Sequence, residues 1–335
     1  MQPPSSLGYY VLPVMEISEN NFITLVRKFA GKSNSIVRGI GDDGAVADLS
    51  AGQYVFVQDA MAEHVHFEFS FMDPYFVGKK ALYSNISDVL AMGAQPVYYL
   101  VTAGIPAKLS SRDMVKIYRG MNRAAREFGV ALLGGDTVAT ARDFFIDISV
   151  VGKLASDKYF GRDKARSGDL IAVTGKLGEA ALGLKVLKEG AAKKGMKGCI
   201  DRFLSPRPPY ELWKELVKND ITDVMMDISD GLIMDLSRMM NESKKQASVH
   251  LEKVPMPGAL RKSGLEDLAF AGGEDYQLLF TFPPDKLPGV EGMIQRGGKI
   301  TIIGTVSSGR GVRVFRNGLE IKTPKQGYDH FGSEI

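Results

Sequence analysis

The sequence predicts an α+β protein organised as two domains. Three observations carry that reading. The chain has 335 residues, about twice a typical domain of roughly 150 residues. Helix-like and strand-like segments follow one another irregularly, without a steady strand–helix–strand repeat. A polar, turn-rich stretch beginning at Ala155, ASDKYFGRDKARSGD, separates two such groups. Hydrophobic residues at 44% and charged residues at 24% support a packed core and exclude a wholly disordered chain.

After a Pro/Ser-rich start, Glu19 to Phe29 reads as a short helix and Val55 to Val57 as a strand ending beside Asp59. Pro74 suits a first helical turn and Gly93 a stop, which places a helix over Pro74 to Met92. On it Asn85 and Asp88 share a face, with Ser84 nearby. That polar group is either solvated or aims oxygens at a cation. Val97 to Ile105 reads as a strand. Ser111 to Phe128 is a helix capped by Ser110 or Ser111 and stopped at Gly129. Val130 to Leu133 is a strand entering GGDT, and Phe144 to Val151 is the next. Beyond the polar stretch, Leu170 to Val173 is strand-like and Leu177 to Lys188 helix-like, and EGAAKKGMKG is a solvated loop. Val224 to Ile228 feeds a helix beginning near Leu232. Val249 to Leu251, Tyr276 to Phe282 and Lys299 to Val306 complete the strands.

Several functions are excluded or disfavoured at once. Lys+Arg 42 against Asp+Glu 39 leaves +3, too weak a basic balance for a nucleic-acid partner. The single cysteine, Cys199, rules out an intrachain disulfide or a multi-thiolate zinc site. No run approaches the roughly 20 apolar residues that span a bilayer, and the N-terminus lacks a basic start and a long apolar centre. A cytoplasmic protein without a membrane partner is expected. No GxGxxG opens a helix and no GxxxxGK[S/T] occurs, so this is not a P-loop kinase.

Acidic clusters fall at the ends of expected elements: GIGDDGA from Gly39, VQDA from Val57, NISD from Asn85, GGDT from Gly134 and DISDG from Asp227, with GGED from Gly272 before an apolar strand. Any one alone reads as a turn or cap. Gathered around one cleft, they would repel unless paired or bound to cations, and all-oxygen ligands favour Mg²⁺. A strand through Ile228 delivers Asp227 at its end, and Ser229 or Asp230 then caps the following helix. That helix N-terminus offers amides to a phosphate. Gly134 and Gly135 permit close backbone approach before Asp136.

In order from Gly39 to Phe331, GIGDDGA, EHVHF, GKKALYSNISDVLAMGAQP, GGDT, DISDGL, GGEDYQLLF and GYDHF make the chain resemble the thiamine-monophosphate kinases, within the aminoimidazole ribonucleotide synthetase-like superfamily of ATP-dependent enzymes. The resemblance implies that superfamily's two-domain α+β fold, with N-terminal domains forming a β-barrel across a homodimer. The expected division is an extension and first helix over 1–38, an ATP/Mg-binding and dimerisation domain over 39–154, and a C-terminal α+β domain over 155–335. It implies Mg²⁺ with ATP as co-substrate. Asp43, Asp59, Asp88, Asp136, Asp227 and Asp230 are the implied metal carboxylates, with Asp136, Asp227 and Asp230 closest to catalysis. Tyr118, Gly135, Asp136, Arg162 and Ser229 are the implied ATP contacts, and His66, Glu274 and Tyr328 the implied holders of thiamine monophosphate. Taken alone, Tyr118 reads as core packing and Arg162 as a surface charge. His64 and His330 are expected to be structural, and Cys199 packed.

The implied reaction moves a phosphoryl group from ATP to thiamine monophosphate, giving ADP and thiamine diphosphate. The acceptor is already a phosphate, so direct in-line transfer needs no strong base and no phosphoenzyme. A related enzyme of the superfamily and a catalytically silent ATP-binding scaffold are the alternatives. Three residues depart from the family pattern: Val57 and Gln58 where a Ser/Thr pair is usual, and His64 where glycine is usual. They are expected to alter a metal subsite and access to the acceptor pocket.

Overall fold

The computed structural model describes residues 19–30, 33–40, 45–190, 195–322 and 327. The first part of the chain runs α1 (Glu19–Val26), β1 (Ile36–Arg38), β2 (Val46–Ala47), β3 (Tyr54–Ala62), α2 (Pro74–Ala91), β4 (Ala94–Pro106), α3 (Ser111–Phe128), β5 (Ala131–Thr140) and β6 (Phe145–Leu154). Next come β7 (Leu170–Thr174), α4 (Glu179–Lys188), α5 (Lys197–Leu204), α6 (Tyr210–Lys218), β8 (Val224–Asp227), α7 (Leu232–Ser243) and β9 (Gln246–His250). The last elements are α8 (Gly258–Ser263), α9 (Asp267–Ala271), β10 (Leu278–Phe282), α10 (Leu287–Gln295), β11 (Ile300–Ser307), β12 (Gly311–Arg316) and β13 (Leu319–Ile321).

One sheet has the order β3-β6-β4-β5, with β4 and β5 parallel and the other pairs antiparallel. A parallel pair needs a crossover, and α3 provides it. Its ends are well specified: Ser110 and Asp113 form a capping box, and Gly129 ends it with φ +69. The other large sheet has the order β13-β12-β9-β11-β7-β10-β8. It is antiparallel except between β12 and β9.

Helix α2 lies between the two sheets. It starts where Asp73 accepts the Tyr75 amide at 2.9 Å, with Pro74 in the first turn. Its buried residues run all round the helix rather than along one stripe, as expected of a central helix. It packs on α3, on the four-stranded sheet and on β8 of the larger sheet. Gly78 and Gly120 make the α2–α3 approach possible. A Cβ on Gly78 would stand 2.0 Å from the Ile117 carbonyl oxygen, and one on Gly120 1.9 Å from that of Tyr75. One apolar cluster runs from Val77 and Tyr83 through Trp213 to Phe280, and Trp213 Nε1 donates to the Leu90 carbonyl at 2.8 Å. A second cluster gathers Met226, Leu236 and Val249 around α7.

The expected N-terminal β-barrel across a dimer is corrected. The four-stranded sheet is open: among the described residues β3 and β5 pair on one side only. A barrel needs its edge strands paired to one another, and no described pairing joins β3 to β5. Two strands also run further than expected. β3 carries Asp59 in its interior, and β5 passes straight through GGDT instead of turning there. No described helix is long and apolar enough to cross a membrane.

Candidate active site

β3 and the turn after it, α2, the β8–α7 turn and the segment before β10 converge on a cavity of about 320 Å³. Asp59 and His66 line it from the first sheet, Ser229 and Asp230 from the β8–α7 turn, and Glu274 and Tyr276 from the last segment. β8 ends on Asp227, which is 2% exposed. Asp88 of α2 belongs to the same group of charges. Burial first, then the negative charges of Asp227 and Asp59, push its carboxyl up to about 9, against the pull of Arg162. Burial also raises Asp227, with Asp230 adding to it, while Ser87 and Arg162 oppose. Arg162 is thus the cation whose charge favours the ionised form of both carboxylates.

Three buried oxygens nearby, Asn85 Oδ1, Ser87 Oγ and Asp227 Oδ2, make no well-formed hydrogen bond, Ser87 approaching Asp227 without completing one. Such orphans are costly unless something meets them. An all-oxygen set around mutually repelling carboxylates fits a hard divalent cation, and the residues present therefore suit Mg²⁺.

The β8–α7 turn is arranged differently from the sequence expectation. The amides of Ser229, Asp230 and Gly231 all donate to Asp235 Oδ2, each at 3.1 Å. These N–H groups are not open to a phosphate, because a carboxylate in the first turn of α7 reaches back to them. Asp235 is fully buried. Burial, then the Asp227 and Asp230 charges, push its carboxyl up to about 7, against Arg238. Arg238 binds Asp235 Oδ1 at 2.9 Å and Asp230 Oδ2 at 2.5 Å, which orients Asp230.

His66 Nδ1 accepts the Ala62 amide at 3.1 Å. Glu274 has φ +67 and an ion pair to Lys80 at 2.5 Å. Its amide donates to the Ser229 carbonyl at 2.7 Å, and a Cβ on the neighbouring Gly273 would lie 2.2 Å from that same oxygen. Glycine is required there.

Other expected site residues lie elsewhere. Asp136 is exposed on the outer strand β5, in register with Thr102 and through it with Asp147 and Ala60. Partners in register share a sheet face and neighbours alternate, so Asp136 lies on the face opposite Asp59. Gly135 is wedged against β4, where a Cβ would meet the Val101 carbonyl oxygen at 1.8 Å. Tyr118 is 4% exposed and packs against Phe29 with ring centroids 5.7 Å apart. Asp43 and Tyr328, like His330, lie outside the described residues. Gly327 is described, and a Cβ there would lie 2.5 Å from the Asp230 carbonyl oxygen.

None of the three departures from the family pattern lines the cavity. Val57 packs on the core, and Gln58 Nε2 donates to Asp147 at 2.5 Å. His64 adopts φ +69, the region that favours glycine, with its ring nitrogens 3.5 to 3.7 Å from Glu68, Asp143 and Glu63. Its bulk is taken up by that acidic surround, where Lys108 also sits 2.7 Å from Glu63.

Residues 41–154 match the family described as AIR synthase related protein, N-terminal domain, and residues 166–317 its C-terminal domain. The chain is 32% identical over 324 residues to the thiamine-monophosphate kinase of Aquifex aeolicus (strain VF5), covering 94% of this chain and 99% of that one. The chain belongs to the thiamine-monophosphate kinase family. Two solved structures agree with that membership. The thiamine-monophosphate kinase from Stenotrophomonas maltophilia K279a has a TM-score of 0.79 at 29% identity, covering 89% of this chain and 96% of that one. AaThiL complexed with AMPPCP and TMP has a TM-score of 0.74 at 30% identity, covering 96% and 100%.

Within this family member, Asp235, Arg238 and Lys80 are site-shaping residues that sequence reasoning missed. Asp235 carried a signal, an acid in the first turn of a helix that follows a loop. Lys80 carried none that separates it from its neighbour Lys79.

Proposed function

We propose that this protein transfers the γ-phosphoryl group of ATP to thiamine monophosphate, forming ADP and thiamine diphosphate. The observation that carries the reading is the convergence of Asp59, Asp88, Asp227 and Asp230 with Arg162 between the two sheets, in a member of this family. An oxygen of the acceptor phosphate forms the new bond to the γ-phosphorus as the bond to the ADP oxygen breaks. Asp59, Asp88, Asp227 and Asp230 would hold Mg²⁺, with Asp43 and Asp136 assigned the same role by resemblance. When bound, Mg²⁺ supplies the positive charge that lets two polyanions approach. Arg162, whose charge acts on Asp88 and Asp227, is suited to bind phosphate oxygens through its several donors. Gly135, Tyr118 and Ser229 are proposed ATP contacts, and His66, Glu274 and Tyr328 are proposed to hold the thiamine moiety.

The proposed units are an extension over 1–38, an N-terminal ATP/Mg-binding unit over 39–154 and a C-terminal unit over 155–335. Homodimerisation is also proposed, supported by the exposed apolar side chains of Phe56, Leu100 and Val138 on the open face of the first sheet, where Phe56 is 74% exposed. Light scattering over a wide concentration range tests it, and a persistent monomer with full activity would reject it.

The deciding measurement is turnover with Mg²⁺, ATP and either thiamine or thiamine monophosphate, resolving ADP and each phosphorylated product. Thiamine diphosphate formed from the monophosphate, with little conversion of thiamine, is expected. Dominant phosphorylation of thiamine would reject the acceptor assignment. ATP hydrolysis with neither product would point to another reaction of the superfamily.

A further inference from the structure

We propose that Lys80 is a positioning residue for the acceptor side of the site, a buried cation that sets His66 and Glu274 relative to each other. The proposal rests on the functional reading above. Lys80 is 0% exposed and does not line the cavity, so it is not offered as a group that touches substrate. Its ammonium group meets Glu274 Oε1 at 2.5 Å and the His66 carbonyl at 3.3 Å, and lies 4.0 Å from the centre of the Phe203 ring. An ammonium has three donors, and these partners come from three separate parts of the chain.

The two polar partners belong to residues on the cavity wall. His66 stands on the turn after β3, and Glu274 in the segment before β10. Lys80 sits on α2 two turns before Asp88, so one helix carries both this clamp and a proposed metal carboxylate. On its other side Glu274 is tied by its amide to the turn that bears Ser229 and Asp230. The clamp therefore joins the His66 wall to the Glu274 wall through one buried ammonium group.

Stability alone is a weak reason for such a pair. Burying two charges costs solvation that their attraction only partly returns, and apolar replacements are often no less stable. The adjacent Lys79 provides the contrast. It is half-buried, with Nζ 5.2 Å from the centre of the Tyr83 ring, and none of its described contacts involves the cavity wall.

The test compares wild type, Lys80→Met and Lys79→Met in steady-state kinetics, varying thiamine monophosphate at saturating ATP and then the reverse. Lys80→Met is expected to raise the acceptor KM at least about tenfold, a change equivalent to about 1.4 kcal/mol, while the ATP KM stays within about twofold. Lys79→Met is expected to leave both unchanged. An unmoved acceptor KM in folded Lys80→Met, or an equal rise in both KM values, would overturn the proposal. If circular dichroism shows Lys80→Met unfolded, Lys80→Arg is measured in its place. Its planar fork keeps the charge but cannot reproduce the ammonium geometry, so an acceptor-selective rise is again expected and a wild-type acceptor KM overturns the idea. Failure of both variants to fold would assign Lys80 to stability and reject the positioning role. Wild-type turnover in the same series separates the two readings. No thiamine diphosphate from wild type rejects the function, whereas normal turnover with an unmoved variant KM rejects only the role of Lys80.

Discussion

Asp227 carries two opposite demands at a single residue. Its carboxyl is buried and one oxygen has no hydrogen-bond partner, which strains the metal-free fold while preparing a cation ligand. Asp227→Asn should therefore melt at or above the wild-type temperature in EDTA, yet lose at least about tenfold in kcat with ATP, acceptor and Mg²⁺ saturating. Asp230→Asn should lose a similar factor. Near-wild-type kcat for both folded variants would remove this turn from the chemistry. Asp275 gives a pH dependence instead. It is fully buried and accepts the Gly178 and Ala180 amides at the start of α4. Burial lifts its carboxyl from 3.8 to about 7, against those amides and Arg202. A raised value in the folded state means that the fold binds a proton the unfolded chain has lost. The contribution is full below about pH 4 and disappears as pH rises through about 7. Urea midpoints for wild type should fall across that window more steeply than those of Asp275→Asn, and parallel curves would count against the assignment. At this scale the sequence was generous. DISDG and GGED were legible as turns, and only the repetition of such acidic turns along the chain pointed to a shared cleft. Asp235's grip on three amides was not, since a reach from the helix back to the turn depends on the folded geometry.

Elements with strong local signals were readable almost to the residue. Asp73-Pro74 and Gly93 bracket α2, and Ser110 and Gly129 bracket α3. The β12–β13 hairpin also carries a local signal. Asn317 and Gly318 both take positive φ between the paired residues Arg316 and Leu319, the conformation that an Asn-Gly turn favours. The glycines of GGDT read as a break after Leu133, whereas here they allow β5 to continue and press against β4. The α2–α3 contact offers a direct test at this scale. Gly78→Ala should lower stability by about 2 kcal/mol or more, because the new methyl would overlap the Ile117 backbone rather than a side chain that can move. An alanine at exposed Gly198, on α5 with open space around it, should be neutral or slightly stabilising. Chemical denaturation of both variants measures the difference.

Across the whole molecule, α2 makes the two sheets share one apolar cluster. Unfolding is therefore expected to be a single transition, since each sheet buries apolar side chains in the cluster built on that helix. Trp213 is the only tryptophan and reports on the α6–α2 contact directly. Its fluorescence and far-ultraviolet circular dichroism should give the same denaturant midpoint, and two separated midpoints would reject one cooperative unit. The sequence by itself determined the α+β class, the principal helices and the family, because caps, glycine stops and carboxylate-bearing turns are local and each has a direct chemical cause. Only the tertiary structure decided which of those turns meet. It brought Asp59, Asp88, Asp227, Asp230 and Arg162 together, put Asp136 on the opposite face of the first sheet, left that sheet open, and turned one of two adjacent lysines inward to Glu274. Strand order and sheet face follow from pairings between residues far apart in the chain, and no local pattern encodes them.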